Sequence, residues 1–299
     1  MKLSICVITM NRAGQLAEAL SSCLACKLHC ETEFIIIDNA STDDTEHAVH
    51  TTLRECGYSY YYEKLPENLG VGGGRNYAYG RASGEYVYML DDDAIIDPAN
   101  SQTFFINAID ILDKNPQIAT LTTQIYDTAW EKNRVETRGP DISDGLHKCL
   151  MFCGGSHFLR TAFFKREPYL PNKYGYEELP PSLLVLDAEH INAFSPTLCI
   201  VHKPAINKWD WNDEKNLALL LKQVAYPYAI KKRMYPLVFR PVLWFAFKFR
   251  AFLYLRNLRG ARKMCKQETK NMYSEYRIED KIKVSTVLRM IKDFGLSAF

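Results

Sequence analysis

The chain has 299 residues, enough for one or two domains with a sizeable core, and its 47% hydrophobic and 24% charged content is ordinary for a globular protein. Nine cysteines show no metal-finger spacing, even where Cys23, Cys26 and Cys30 lie close together, so they read as buried thiols of a reducing, cytoplasmic setting, and the first residues lack the pattern of a signal peptide. The net charge of +2 hides an asymmetry: residues 229–299 hold 17 Lys/Arg against 5 Asp/Glu, which leaves −10 on residues 1–228, and an acidic body without a recognised module speaks against nucleic acid as a partner.

In chain order, Lys2 to Met10 predicts a short buried strand, followed by Asn11-Arg12-Ala13-Gly14 and a helix from about Gln15 to Ala25. Glu33 to Asp38 predicts a second strand, and Ser41 or Thr42 caps a helix from Asp44 to Glu55. Tyr58 to Lys64 is a third strand. Asn68-Leu-Gly70-Val-Gly72-Gly73-Gly74-Arg75 then leads into a helix ending at Ala82. Alternation of this kind predicts an α/β fold with a mostly parallel sheet, in which ligands bind beyond the carboxyl ends of the strands. Asn11, Arg12, Asp38 and Asp91 to Asp93 all fall there.

The glycine cluster lacks the spacing of a dinucleotide-binding turn, and no Lys-Ser/Thr follows it as in a P-loop. Its glycines would let backbone approach a ligand and Arg75 meet phosphate; the alternative is a flexible loop feeding a helix. The next stretch, Glu85 to Pro98, is the focus of the chain. Tyr86 to Leu90 reads as a strand covered on both faces, and it runs into Asp91, Asp92 and Asp93. Three adjacent carboxylates repel one another, and a divalent cation carrying a diphosphate would offset that repulsion; Mg²⁺ takes one or two protein carboxylates and fills its shell with water and phosphate oxygens. A solvated acidic turn is the alternative.

Beyond Pro98, Ser101 to Asn115 predicts an amphipathic helix and Ile118 to Tyr126 a strand, while Asp127 to Lys148 reads as a polar loop. Cys149 to Arg160 reads as a strand around the pair Gly154-Gly155, with His157 either packed or facing substrate. Glu177 and Glu178 precede a helix, where the dipole alone would stabilise them. His202 follows a strand. Trp209, Asp210 and Trp211 form either a stacking wall for a sugar or a packing surface. Ala225 to Arg259 mixes aromatic and basic residues but falls short of the ~20 apolar residues of a membrane span. Its profile is that of a helix at an anionic membrane surface, or of helices packed on the body with solvated basic faces.

The segments SICVITMNR, IIIDNASTDDT and ENLGVGGGRNYAYGRASGEYVYMLDDDAII, in this order and spacing, resemble the donor half of a glycosyltransferase family 2 enzyme with the GT-A fold. The resemblance implies donor binding in residues 1–98, acceptor binding and catalysis in 99–225, and a basic helical extension in 226–299. It implies a nucleoside-diphosphate sugar donor, a UDP-sugar first and a dTDP-sugar second, and a saccharide or lipid-linked saccharide acceptor. Asp38 would bond the base, with Thr9 lining its slot. Asn11, Arg12, Asn68, Gly70, Arg75, Asp91 and Asp92 would complete the donor site. Asp93, with His202, would hold Mg²⁺ or Mn²⁺. The family's glycine-containing strand passes under the donor sugar, and its acidic pair matches Glu177-Glu178, with Glu178 the candidate base and Glu177 next. Two departures stand out: the family's second acid is usually Asp, and Pro180 replaces a later Asp. Together these imply an inverting, metal-dependent transferase, peripheral on the inner face of the membrane. A nucleotidyltransferase, or a sugar-nucleotide-binding protein without activity, is the competing class.

Overall fold

The computed structural model describes residues 1–134, 138–143, 145–164, 167–204, 214–255 and 260–299. The first third alternates strand and helix: β1 (Leu3–Thr9), α1 (Ala13–Leu24), β2 (Thr32–Asp38), α2 (Thr45–Leu53), β3 (Ser59–Lys64), α3 (Gly70–Arg81) and β4 (Tyr86–Asp91). There follow β5 (Ala94–Ile96), α4 (Phe104–Lys114), β6 (Ile118–Asp127), β7 (Lys132–Asn133), β8 (Arg138–Ser143), β9 (Leu146–Cys149), β10 (Ser156–Arg160), α5 (Leu179–Asp187) and β11 (Ile191–His202). Four helices close the chain: α6 (Glu214–Met234), α7 (Arg240–Leu255), α8 (Ala261–Glu275) and α9 (Val284–Phe294).

One mixed sheet runs in the order β3-β2-β1-β4-β10-β6-β11-β9-β8, with β5 on β11 and β7 on β6. The β3-β2-β1-β4 half is parallel, β10 lies antiparallel between β4 and β6, and β6 and β11 are parallel. This is the GT-A arrangement with a distinct helical extension.

Side chains alternate across the pleat, so the unbroken apolar runs feed two cores. Tyr86, Tyr88 and Leu90 of β4 pack on one face with Ile5 of β1 and Phe34 of β2. Val87 and Met89 pack on the other with Cys6 and Ile35. On the first face Tyr88 stacks on Phe158 at 4.4 Å and meets Phe105 edge-on at 5.3 Å. Each such ring contributes about 2–3 kcal/mol on burial. The register pairs Thr9 with Asp38 and Ile8 with Asp91, so the carboxyl ends of β1, β2 and β4 come together at one edge.

Three expectations need correction. The glycine cluster is no loop, because α3 begins at Gly70. Its glycines serve close approach of the chain to itself: a Cβ on Gly72 would lie 1.9 Å from Leu170 O, and one on Gly70, at φ +76°, would lie 2.4 Å from Lys173 Cα. Val71 and Gly72 donate to the carbonyls of Lys173 and Asn172 at 3.0 and 3.1 Å, tying α3 to the segment that precedes the acidic pair. Residues 127–148 hold β7, β8 and β9 instead of a polar loop, because β9 pairs β11 and buries Leu146 and Cys149. The strand expected over 149–160 is confined to Ser156–Arg160, since the chain turns at Gly154-Gly155.

The extension packs on the body through a shared core, in which Ala225, Ile230, Met234, Tyr235, Met272 and Met290 meet Leu150, Leu170, Leu179 and Leu183. Helix α6 passes without a break through residues 225 and 226. Helix α7 turns Leu243, Ala251 and Leu255 inward and exposes Phe245, Phe249 and Phe252. Among the described residues no helix is long and apolar enough to cross a membrane.

Candidate active site

The acidic triplet sits where β4 ends and the chain turns into β5. Each carboxylate has a different set of partners. Asp91 Oδ1 accepts from Arg75 Nη2 at 2.7 Å. Asp92 accepts from Thr9 Oγ1 at 2.7 Å and from Arg12 Nη1 at 2.8 Å. Asp93 Oδ2 accepts from the same Arg12 nitrogen at 2.7 Å. Burial works against ionisation of Asp91, but Arg75 and His202 outweigh it and its pKa falls. For Asp92 burial prevails over Arg12 and lifts the carboxyl to about 6.

His202, the last residue of β11, comes to the triplet because β11 pairs with β5 and sets His202 opposite Ala94. Its Nε2 lies 3.2 Å from Asp93 Oδ1 and its Nδ1 3.0 Å from Asp127 Oδ2. Arg134 Nη2 donates to Asp127 at 3.0 Å and lies 2.9 Å from His202 Nδ1. Burial disfavours the imidazolium, yet the bond to Asp93 and the surrounding acids raise the His202 pKa overall. Ligand atoms of Asp91, Asp93 and His202 lie within 4.8 Å of one another. Two carboxylates and an imidazole, with the second imidazole nitrogen held by Asp127, suit Mg²⁺ or Mn²⁺, and the donor set fits the expected cation. Asp91, expected at the donor, joins this cluster. Asp127 and Arg134 were missed, because both lie in the stretch read as a loop.

Arg75 links this cluster to the acidic pair. It is 4% exposed. Its Nη1 donates to Glu177 Oε1 at 3.0 Å and Glu178 Oε1 at 2.7 Å, while Nη2 bonds Asp91 and the Gly154 carbonyl at 2.8 Å. One guanidinium therefore faces three carboxylates, and Glu177 Oε2 is buried with no hydrogen-bond partner among the described residues. Burial, then the charge of Glu177, push Glu178 up to about 8. Glu178 thus lies above the ordinary glutamate value of ~4.3, with Arg75 opposing the rise. The glycine pair is required here: a Cβ on Gly154 would lie 1.8 Å from Glu178 Oε1, and one on Gly155 3.2 Å from Asp91 Oδ2. His157 is buried, with Nε2 2.6 Å from Tyr169 Oη, so it packs behind the site.

The remaining donor-side residues shape the rim. Asp38 is buried and accepts from Ser41 N at 2.7 Å and Tyr62 Oη at 2.9 Å. Asn11, at φ +55°, accepts from Thr42 N at 2.7 Å, which ties the loops after β1 and β2 together. Asn68 Oδ1 accepts from Gly70 N at 2.7 Å, turning the chain into α3. Trp209, Asp210 and Trp211 lie outside the described residues.

Residues 4–163 match the family described as Glycosyl transferase family 2. An uncharacterized glycosyltransferase of Nostoc sp. is 26% identical over 167 residues, 52% of this chain and 47% of the relative, so the chain spans about half the length of that curated protein. Staphylococcus aureus TarS 1–349 in complex with UDP-GlcNAc superposes with a TM-score of 0.62 at 16% identity, over 100% of this chain and 89% of that one. The mannosyltransferase PcManGT from Pyrobaculum calidifontis, in complex with GDP-Man and Mn²⁺, gives 0.59 at 16% identity, over 100% and 81%. These two likenesses establish the fold. The family match covers more than half of the residues, from β1 through the Asp91–Asp93 turn and β10, and the chain belongs to glycosyl transferase family 2.

Proposed function

We propose that the protein is an inverting, divalent-metal-dependent glycosyltransferase that moves a sugar from a nucleoside-diphosphate sugar, a UDP-sugar foremost, to a hydroxyl of a saccharide or lipid-linked saccharide. One observation carries this reading: a cluster suited to a cation and a buried glutamate with a raised pKa are joined through a single buried arginine. Asp91, Asp93 and His202 would hold Mg²⁺ or Mn²⁺, which when bound neutralises charge growing on the departing nucleoside diphosphate.

The protein's own groups do the rest. Thr9 and Arg12 orient Asp92 toward the donor edge. Arg75 fixes Asp91 and Glu178 in one plane of contacts, so the two halves of the site keep their separation as substrates enter. Glu178, once ionised, accepts the proton of the acceptor hydroxyl. The new C–O bond forms as the anomeric carbon's bond to the diphosphate oxygen breaks on the opposite face, and the electron pair leaves with the diphosphate. A single displacement of this kind inverts the anomeric centre. A pKa of about 8 keeps the base near its working pH, where proton transfer is efficient. The exposed aromatic face of α7, with Arg240 and Lys248 beside it, supports peripheral contact with an anionic membrane and hence a lipid-linked acceptor.

The test is a panel of sugar nucleotides titrated by calorimetry with and without Mn²⁺, followed by release of nucleoside diphosphate in the presence of acceptor. Glu178→Gln should abolish transfer while leaving donor affinity nearly intact. Asp93→Ala should remove the metal-dependent part of donor binding. Transfer by Glu178→Gln at the wild-type rate, or release of pyrophosphate instead of nucleoside diphosphate, would overturn the reading.

A further inference from the structure

Behind the acidic pair, between the body and the C-terminal helices, lies a cavity of about 360 Å³. Leu150, Tyr176 and Leu179 line it from the body; Lys231, Arg250 and Tyr254 line it from α6 and α7. Among the described residues its lining holds two cations and no carboxylate. Lys231 is 3% exposed, and among the described residues its Nζ has a single long contact, 3.4 Å to the Ser297 carbonyl. Among the described residues neither Lys231 nor Arg250 forms an ion pair. A buried ammonium beside a guanidinium, with no counter-charge, is costly, and such groups persist in folded proteins where a partner relieves them. Burial, then Arg250, lower the Lys231 amine to about 7, so the isolated amine gives up its proton readily and an anion placed beside it would restore the charge.

The wall on the acidic side is built for this position. Pro227 lies inside α6 and supplies no N–H to the carbonyl of Gln223. Tyr176 Oη donates to that carbonyl at 3.2 Å. To reach it, Tyr176 adopts φ +63°, a conformation a bulky residue holds only when its surroundings demand it. The ring therefore faces the cavity, while the next two side chains, Glu177 and Glu178, face Arg75.

We infer that this cavity is a binding site for a phosphoryl group carried by the acceptor, with Lys231 and Arg250 as its cationic partners and Tyr176 and Tyr254 at its sides. The word acceptor rests on the transferase reading; the anion site itself rests on the cavity. A phosphate bonded by both cations leaves the attached saccharide beside the Tyr176–Leu179 segment, which carries Glu178. The phosphate belongs either to a prenyl lipid or to a soluble phosphorylated saccharide.

The experiment uses the full chain with UDP and Mn²⁺ at saturation, and titrates citronellyl phosphate, glycerol 3-phosphate and citronellol by calorimetry. Both phosphates should bind, citronellol should not, and Arg250→Gln and Lys231→Met should each weaken phosphate binding about tenfold or more while UDP–Mn²⁺ affinity stays unchanged. Arg250→Gln, on the half-buried side chain, carries the test if Lys231→Met fails to fold. Tighter binding of citronellyl phosphate than of glycerol 3-phosphate assigns a lipid source, and equal binding a soluble one. Absence of heat from both phosphates, or affinity unchanged in Arg250→Gln, overturns the inference and leaves glycosyl transfer standing. Phosphate binding lost in Arg250→Gln, in a protein that binds no sugar nucleotide, keeps the anion site and removes the transferase reading.

Discussion

Replacing Glu177 by Gln keeps its length and removes one negative charge from the groups around Arg75. Glu177 Oε1 and Glu178 Oε1 both bond Arg75 Nη1, at 3.0 and 2.7 Å, and so lie close together. Two unit charges about 6 Å apart repel by about 3 kcal/mol at an effective dielectric of about 20. That corresponds to about two units of pKa. Burial is the first cause of the raised Glu178 value and Glu177 the second, so the variant should fall from about 8 while staying above an ordinary glutamate. The base must lose its proton to act, and kcat/KM therefore rises with pH through this value. The wild type should show an acid limb near pH 8, and Glu177→Gln should move it to about 6 to 7. The assay is the initial rate of nucleoside-diphosphate release across this range at saturating Mn²⁺, with donor affinity measured by calorimetry at each pH. A limb that stays near 8 in Glu177→Gln, while Glu178→Gln is inactive, would refute the argument that repulsion within the pair sets the working pH. So would a limb that moves only in step with donor affinity, because that behaviour belongs to the cation cluster.

Gly154→Ala should cut transfer strongly and lower stability by about 1–3 kcal/mol, since its Cβ would meet Glu178 Oε1 at 1.8 Å; thermal melting and the transfer rate check both effects. Asp127→Asn should weaken Mn²⁺ affinity by about 10–100-fold with the fold intact, because it loosens the imidazole of His202 instead of removing a ligand; titration followed by electron paramagnetic resonance reads this directly. Phe245→Ser combined with Phe249→Ser should abolish cosedimentation with vesicles rich in phosphatidylglycerol and leave soluble turnover unchanged, each exposed ring being worth about 2 kcal/mol on insertion. Retention on such vesicles by the double variant would exclude α7 as the contact surface.

The parts of this molecule that were legible in its sequence are those whose cause is local. An apolar run such as Tyr86 to Leu90 signals burial on both faces by itself, and the acids that follow advertise their own repulsion. Asp93 and His202 were recognisable because family likeness supplied the distant partner. The network that makes the site work has no such local trace. Arg75 meets Glu177 and Glu178 across more than a hundred residues, and nothing in a glycine-rich segment indicates that the following arginine will be buried among carboxylates. Asp127 and Arg134 both sit in a polar stretch that reads as a loop, although pairing of β9 with β11 and of β7 with β6 turns much of it into sheet.

The glycines carry the same lesson in sharper form. Gly70 and Gly72 read as ligand-approach residues, yet the object that approaches them is the chain's own segment from Leu170 to Lys173. That contact orders the turn leading to Tyr176, Glu177 and Glu178, while Gly154 removes the Cβ that would push Glu178 away from Arg75. Small residues on α3 and at the turn before β10 thus act on the candidate base from two directions. The placement of Glu178 against Arg75 consequently rests on close packing around α3 and the turn before β10, which no side-chain motif encodes.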